Sequence, residues 1–277
     1  MKTAACKRAA RLMPALVLAL FAMRCLAAEP AYQPAVGQEG KDVIWVPTPD
    51  VMVEKMLDLA GVSARDFVMD LGSGDGRNVI GAARRGARGL GVEYNPELVE
   101  HARQRAAVAG VTALAQFVEG DMYAADVSQA SVLMLFLLPD NLHKLRSKLL
   151  AMRPGSRIVS NTYEVPDWPS DKAETVRESC AAFCIVFSYV VPADIGGLWR
   201  SADGEFIFEQ TYQRFSGSYD FNGINLSVEN GRLTVADIRF TVNGVDYAGR
   251  IDGDVMQGEA KGRHSAAWRA TRVRDLP

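Results

Sequence analysis

The chain predicts a doubly wound α/β fold with a mostly parallel sheet, followed by a C-terminal antiparallel β-meander. Three observations predict it. From residue 66 onward, short apolar strands alternate with helical stretches. One of those strands, "SVLMLFLLP" at 131–139, is apolar on both faces, as a central strand of a parallel sheet must be. After Pro166 the helical rhythm stops, and Asn222-Gly223, Asn230-Gly231, Asn243-Gly244 and Asp252-Gly253 punctuate alternating segments in the manner of β-hairpins.

In chain order, "WVPTPDVMVEKMLDLAGV" opens a helix, with Thr48 as a candidate N-cap and Pro49 at the first helical position. "DFVMDL" is a short strand, "GRNVIGAARRGA" a helix and "GLGVEY" a second strand. "NPELVEHARQRAAVAG" reads as a helix capped by Asn95 and stopped at Gly110. "AQFVEGD" is the third strand, "SVLMLFLLP" the fourth and "SRIVSNTYE" the fifth, with the amphipathic helix "DNLHKLRSKLLAMRPG" between the last two. "AAFCIVFSYVVPA" and "GEFIFEQTYQRF" add two more strands, and "RLTVADIRFTV" and "VDYAGRI" belong to the meander.

The N-terminus carries a different message. Lys2, Lys7, Arg8 and Arg11 precede an apolar run from Leu12 to Met23, and "CLAA" supplies small residues for cleavage. The apolar run is short for a membrane span, so a cleaved secretory signal at 1–27 is expected, with no stable span afterwards. The expected location is therefore exported and periplasmic, or cytoplasmic if translation starts at Met13 or Met23. The predicted organisation is a signal at 1–27, a flexible leader at 28–40, a cofactor-binding domain at 41–213 and a β-rich extension at 214–277.

Removing the signal takes five of the 31 basic residues and leaves 26 against 33 acidic ones, which argues against a nucleic-acid partner gripped through phosphates. No metal site is expected, because His101, His143 and His264 have no other ligand at metal spacing. Cys180 and Cys184, four apart, suit either a local disulfide on a turned segment or two small buried side chains.

The chemistry is concentrated in "VMDLGSGDGR", residues 68–77. A triphosphate loop needs a Lys-Ser/Thr pair after its last glycine, and "DGRN" stands there instead. A dinucleotide loop needs G-x-G-x-x-G. The spacing Gly72-Ser73-Gly74-Asp75-Gly76 is one residue short, and Asp70 and Asp75 would repel a diphosphate. S-adenosylmethionine has no phosphate and carries two cationic centres, so carboxylates beside the loop become favourable. Glu93 ends the second strand, placed to accept ribose hydroxyls, with Tyr94 beside it as a candidate pocket residue. Asp121 ends the third strand within reach of an adenine edge.

"VMDLGSGDGR", "GVEYN", "EGDMY" and "LFLLPD" together resemble the successive motifs of class I S-adenosylmethionine-dependent methyltransferases. The similarity covers roughly residues 44–165. It is greatest to a subgroup with "VPTP", "DLGSGDGR" and "YLLP"-like motifs that includes mitochondrial protein-lysine methyltransferases and many bacterial proteins. The resemblance implies a Rossmann-like seven-stranded sheet and S-adenosylmethionine as cofactor. By the same resemblance Asp70, Gly72, Gly74 and Asp75 hold the methionine end, within a turn that also contains Ser73 and Gly76. Glu93 then binds the ribose, and Asp121 with the Met122 backbone the adenine. Leu138, Pro139 and Asp140 border the transferred methyl, Asp140 being the candidate to orient or deprotonate an amine. Phe136 stands where tyrosine is common in the subgroup, and Asn161 where a histidine is expected, so the acceptor side departs most. The expected acceptor is a protein amine or a small molecule. The alternative is a non-catalytic module that binds an envelope partner through the meander.

Overall fold

The computed structural model describes residues 32–274; the expected signal at 1–27 and the first residues of the leader lie outside the described residues. The first half comprises α1 (Asp50–Leu59), β1 (Phe67–Leu71), α2 (Arg77–Arg84), β2 (Arg88–Glu93), α3 (Pro96–Val108) and β3 (Ala115–Glu119). It continues through β4 (Val132–Leu135), α4 (Pro139–Leu150), β5 (Arg157–Asn161), β6 (Lys172–Thr175) and β7 (Ile185–Val190). These strands form one seven-stranded sheet in the order β3-β2-β1-β4-β5-β7-β6. The first five strands are parallel; β7 runs antiparallel to β5, and β6 antiparallel to β7.

Strand periodicity sorts the core onto two faces. Val68, Val132, Met134, Val159 and Val186 pack with Met52, Val53, Met56 and Leu57 of α1. Met69, Leu71, Leu133, Leu135 and Ile158 face the other way, against Leu142, Leu145 and Leu149 of α4. All four residues of β4 are buried, as its uninterrupted apolar run requires. Asn95 caps α3 by accepting from the Glu97 and Leu98 amides, with Pro96 in the first turn. Thr48 does not cap α1. Pro49 occupies that position without a side-chain cap, and buried Thr48 instead offers its carbonyl to Arg77 Nη1 at 2.6 Å. The edge strand β6 had no sequence signal, because "KAET" is charged and mostly exposed.

The meander closes on itself. β8 (Gly197–Ser201), β9 (Gly204–Thr211), β10 (Arg214–Phe221), β11 (Ile224–Thr234), β12 (Asp237–Val242), β13 (Val245–Asp252), β14 (Val255–Lys261) and β15 (Ser265–Arg272) form a closed eight-stranded antiparallel barrel. Closure comes from β15 against β8, through the pairs Ala270–Ser201, Thr271–Arg200 and Arg272–Trp199. The strand read in "GEFIFEQTYQRF" therefore belongs to the barrel, and the break between sheet and barrel falls between Val190 and Gly197 rather than at 213. Alternation in β9 points Phe206 and Phe208 into the barrel core.

Asn222-Gly223 and Asn243-Gly244 form tight turns with positive φ at both residues, the pattern hairpins favour. Asn230-Gly231 does not turn the chain. It sits inside β11 at a bulge, where a Cβ on Gly231 would lie 2.1 Å from the Phe215 carbonyl oxygen. At the junction with the sheet, Tyr212 of the β9–β10 turn stacks on Trp168 at 5.5 Å, and Trp168 Nε1 donates to Gln213 at 3.1 Å. Trp168 is thus a packing residue, 1% exposed.

Candidate functional site

The first βα turn rises from the carboxyl end of β1. Gly72, Gly74 and Gly76 have φ of 75°, 53° and 79°, a region side chains enter only with strain. The amides of Gly72 and Ser73 both donate to the Val92 carbonyl, at 2.8 and 3.1 Å, which ties the turn to β2. Space is limiting as well as torsion. A Cβ on Gly74 would stand 2.5 Å from Trp45 Nε1, and one on Gly76 2.6 Å from the Phe117 ring.

Glu93 ends β2 with its carboxylate oriented by two backbone donors, Gly74 N–H at 2.8 Å and Asn95 N–H at 2.9 Å. Each oxygen retains acceptor capacity. Together with Gly72, Tyr94, Asp121, Met122 and Phe136 it lines one cleft above the strand ends. Tyr94 is 53% exposed at the mouth of that cleft rather than part of the core.

Asp70 is buried. Its Oδ2 accepts from Asn78 Nδ2 at 3.1 Å, while Oδ1 has no partner. Burial pushes its pKa up to about 7; the Asn78 bond opposes this, and the charges of Glu93 and Asp75 reinforce it. Ser73 Oγ and Asn78 Oδ1 are buried without partners too. Three oxygens, from the end of β1, the turn and the first turn of α2, thus lack donors, and buried polar atoms left unpaired are costly. The ammonium of S-adenosylmethionine would supply the missing donors, the acids suit its cationic charge, and the free acceptor capacity of Glu93 fits its ribose diol.

Asp75 departs from the sequence expectation. Like Asp70, Ser73, Gly74 and Gly76 it stands behind the cleft wall, of which Gly72 is the only residue of the turn; what sets it apart is its pairing. Arg77 grips it through Nε on Oδ1 at 2.9 Å and Nη2 on Oδ2 at 2.7 Å, and Arg105 Nη1 pairs with Oδ2 as well. Its charge is balanced by two guanidiniums that fasten the turn to α3 and to the segment before α1. Arg77 is consequently a pairing residue.

Residues 39–46 lie along the cleft as a strap, with Trp45 in it and Thr48 outside it. Lys41 Nζ contacts Asp121 Oδ2 at 2.7 Å and sits 5.0 Å over the Tyr94 ring. The lysine bond, with the Tyr123 N–H on Oδ1 at 2.8 Å, holds the Asp121 carboxyl below its usual range. On the β4 side Phe136 lines the cleft, while Leu138, Pro139 and Asp140 do not. Leu138 is 45% exposed, Pro139 begins α4 and Asp140 is exposed in its first turn. Asn161, at the end of β5, is fully buried with Nδ2 unpartnered.

Sequence reasoning missed Lys41, whose partner lies 80 residues away. It also missed Asn78; a polar residue on an otherwise apolar helix face was the available signal.

A mostly parallel sheet with a glycine turn, a carboxylate fixed at the end of β2 and buried unpartnered oxygens beside it is the arrangement of a class I S-adenosylmethionine-dependent methyltransferase. The family described as the ANTKMT methyltransferase domain matches residues 70–172. A protein-lysine N-methyltransferase of Saccharolobus islandicus is 40% identical over 129 residues, 46% of this chain and 80% of that protein. The adenine nucleotide translocase lysine N-methyltransferase of Mus musculus is 39% identical over 103 residues, 36% of this chain, which spans 45% of that relative. A crystal structure described as an RNA methyltransferase from Salinibacter ruber, in complex with S-adenosyl-L-homocysteine, is 43% identical. It covers 54% of this chain and 96% of its own, with a TM-score of 0.51. The chain belongs to the class I S-adenosylmethionine-dependent methyltransferases and is related to the mitochondrial lysine methyltransferases. The non-catalytic alternative finds no support in these relatives.

Proposed function

We propose that this methyltransferase modifies the ε-amino group of lysine in a protein and that it acts outside the cytoplasm. The similarity to the archaeal protein-lysine enzyme, across four-fifths of that enzyme's length, carries the acceptor reading. When bound, the cofactor supplies an activated methyl group on sulfur, so the protein contributes mainly position. Glu93, locked by Gly74 and Asn95, holds the ribose. Asp70, Ser73 and Asn78 hold the cationic methionine end, and Met122 borders the adenine beside Asp121.

Phe136 and exposed Leu138 offer an apolar wall for an alkyl stem at the end of β4. Asp140 would accept a proton from the incoming amine or orient it, leaving the nitrogen lone pair available as nucleophile. Lys41 competes for the adenine-side acid, so cofactor binding requires the 39–46 strap to shift.

The basic and apolar signal at 1–27 supports export, as does the disulfide between Cys180 and Cys184, since such bonds persist in oxidising compartments. Fusing the first 30 residues to a reporter active only in the periplasm tests location, and a silent fusion removes that part. For the acceptor, the protein is incubated with isotope-labelled cofactor and an envelope extract. Methyllysine in a protein is the expected product. Label recovered in RNA alone, or none in protein while cofactor binds, overturns the lysine reading.

A further inference from the structure

The barrel has two unlike ends. At the end nearest the sheet, the Arg272 guanidinium lies 4.6 Å from the Trp199 ring centroid and Arg272 Nη1 donates to the Gly196 carbonyl at 2.7 Å. That ring is supplied with a cation by the chain itself. The opposite end, around the β8–β9 turn, holds an open cavity of about 750 Å³ lined by Ser201, Asp203, Phe206, Tyr219, Tyr247 and Trp268. Pairing of β15 with β8 covers only residues 270–272, so the stretch 265–269 leaves the wall open beside that turn.

The lining combines aromatic rings, hydroxyl oxygens and the Asp203 carboxylate, and one face of Tyr247 is covered by Phe240 at 4.7 Å. Tyr247 and Trp268 meet edge to face, with centroids 5.5 Å apart and planes at 75°. Phe206 and Tyr219 stack beneath them at 4.0 Å. Trp268 Nε1 is already used on the Ala248 carbonyl at 3.2 Å, so only the indole π system is left for a ligand. Ser201 Oγ and the Tyr219 hydroxyl lie 3.4 Å apart. Burial raises the Tyr247 pKa, and the neighbouring Tyr219 and Asp203 push it the same way. The arginines bordering the cavity, Arg250 and Arg269, are engaged with Asp237 and Gln257 at 3.1 Å each. They alternate in their strands with Gly249 and Trp268, so they belong to the outer face.

We propose that this cup binds a methylated ammonium group, of the kind carried by trimethyllysine or choline. A diffuse, weakly hydrated cation loses little on leaving water and is attracted by the nearly perpendicular rings of Tyr247 and Trp268, while the Asp203 carboxylate brings a negative charge to the rim beside the outward-facing arginines. An unmethylated ammonium is held back by its stronger hydration. The small side chains of Ala260 and Ala266 in the same wall leave room for the attached stem. This inference stands apart from the reaction and does not depend on its acceptor.

The test uses the full chain and the indole N–H resonance of Trp268 in NMR titrations. The probes are tetramethylammonium, choline, Nε-trimethyllysine amide and the neutral carbon isostere of choline, 3,3-dimethylbutan-1-ol. The ammonium probes should saturate the shift, with choline bound about tenfold more tightly than its neutral isostere. Trimethyllysine amide tighter than choline identifies a peptide source, and the reverse a small amine or headgroup. Asp203, exposed in a turn, can change without loss of the fold. Asp203→Asn should weaken choline about threefold or more while the melting temperature stays put. Equal affinity for the neutral isostere, no saturable shift with any ammonium probe, or unchanged choline affinity in Asp203→Asn each overturns the proposal.

Discussion

The sheet and the barrel treat buried polarity in opposite ways. Among the described residues, the buried side-chain atoms without a partner are Asp70 Oδ1, Ser73 Oγ, Asn78 Oδ1, Asn141 Oδ1 and Asn161 Nδ2, all in the α/β half. The barrel instead fills its interior with Phe206, Phe208, Phe215, Tyr219 and Phe240, whose rings pack on one another. Unpaired buried polar groups cost stability, so they persist where a ligand completes them. The difference separates a half organised around cofactor chemistry from a half organised around its own packing.

The largest expected effect lies in the barrel. Phe206→Ala removes a ring that is 1% exposed and should destabilise the protein by about 3–5 kcal/mol, read by denaturant unfolding. Cofactor affinity measured in water should hardly change, and a large loss of affinity would break the separation of roles. Next comes Glu93→Ala, which should weaken S-adenosylmethionine binding by about 1.5–3 kcal/mol in calorimetry. Unchanged affinity would refute the ribose assignment.

Asp70 gives a pH signature. Its folded pKa, pushed up to about 7, lies above the unfolded carboxyl value, so the native state holds the proton longer. Its contribution is intact at low pH, falls as pH rises from about 4 to about 7, and is level above that, a change on the order of a few kcal/mol. Asp70→Asn should therefore melt higher than the parent at about pH 8, match it near pH 4, and bind cofactor more weakly. A parent curve parallel to the variant's across that window would sink the assignment. The smallest effect belongs to the Cys180–Cys184 bond. Cys180→Ser opens a short loop and should cost about 2 kcal/mol or less, confined to the sheet half, with barrel amide exchange unchanged.

The sequence by itself determined the five parallel strands β1–β5, where they end and the carboxylates at those ends. Apolar periodicity, Pro96 and Asn95 at a helix start, and glycines at the first turn are local signals whose energetics act within a few residues. Gly72, Gly74 and Gly76 indeed stand at positive φ, and Glu93 and Asp121 share the cleft with Gly72. Only the tertiary structure decided the rest. Asp75 looks like a cofactor acid until Arg77 and Arg105 close on it. Asn230-Gly231 has the composition of a hairpin, yet pairing on both sides of β11 makes it a bulge. β8 joins the barrel because β15, some 70 residues later, needs a partner to remove its open edge. Lys41 finds Asp121 only when the strap folds across the strand ends. Each of these depends on which groups meet across long stretches of chain, and no window of the sequence carries that information.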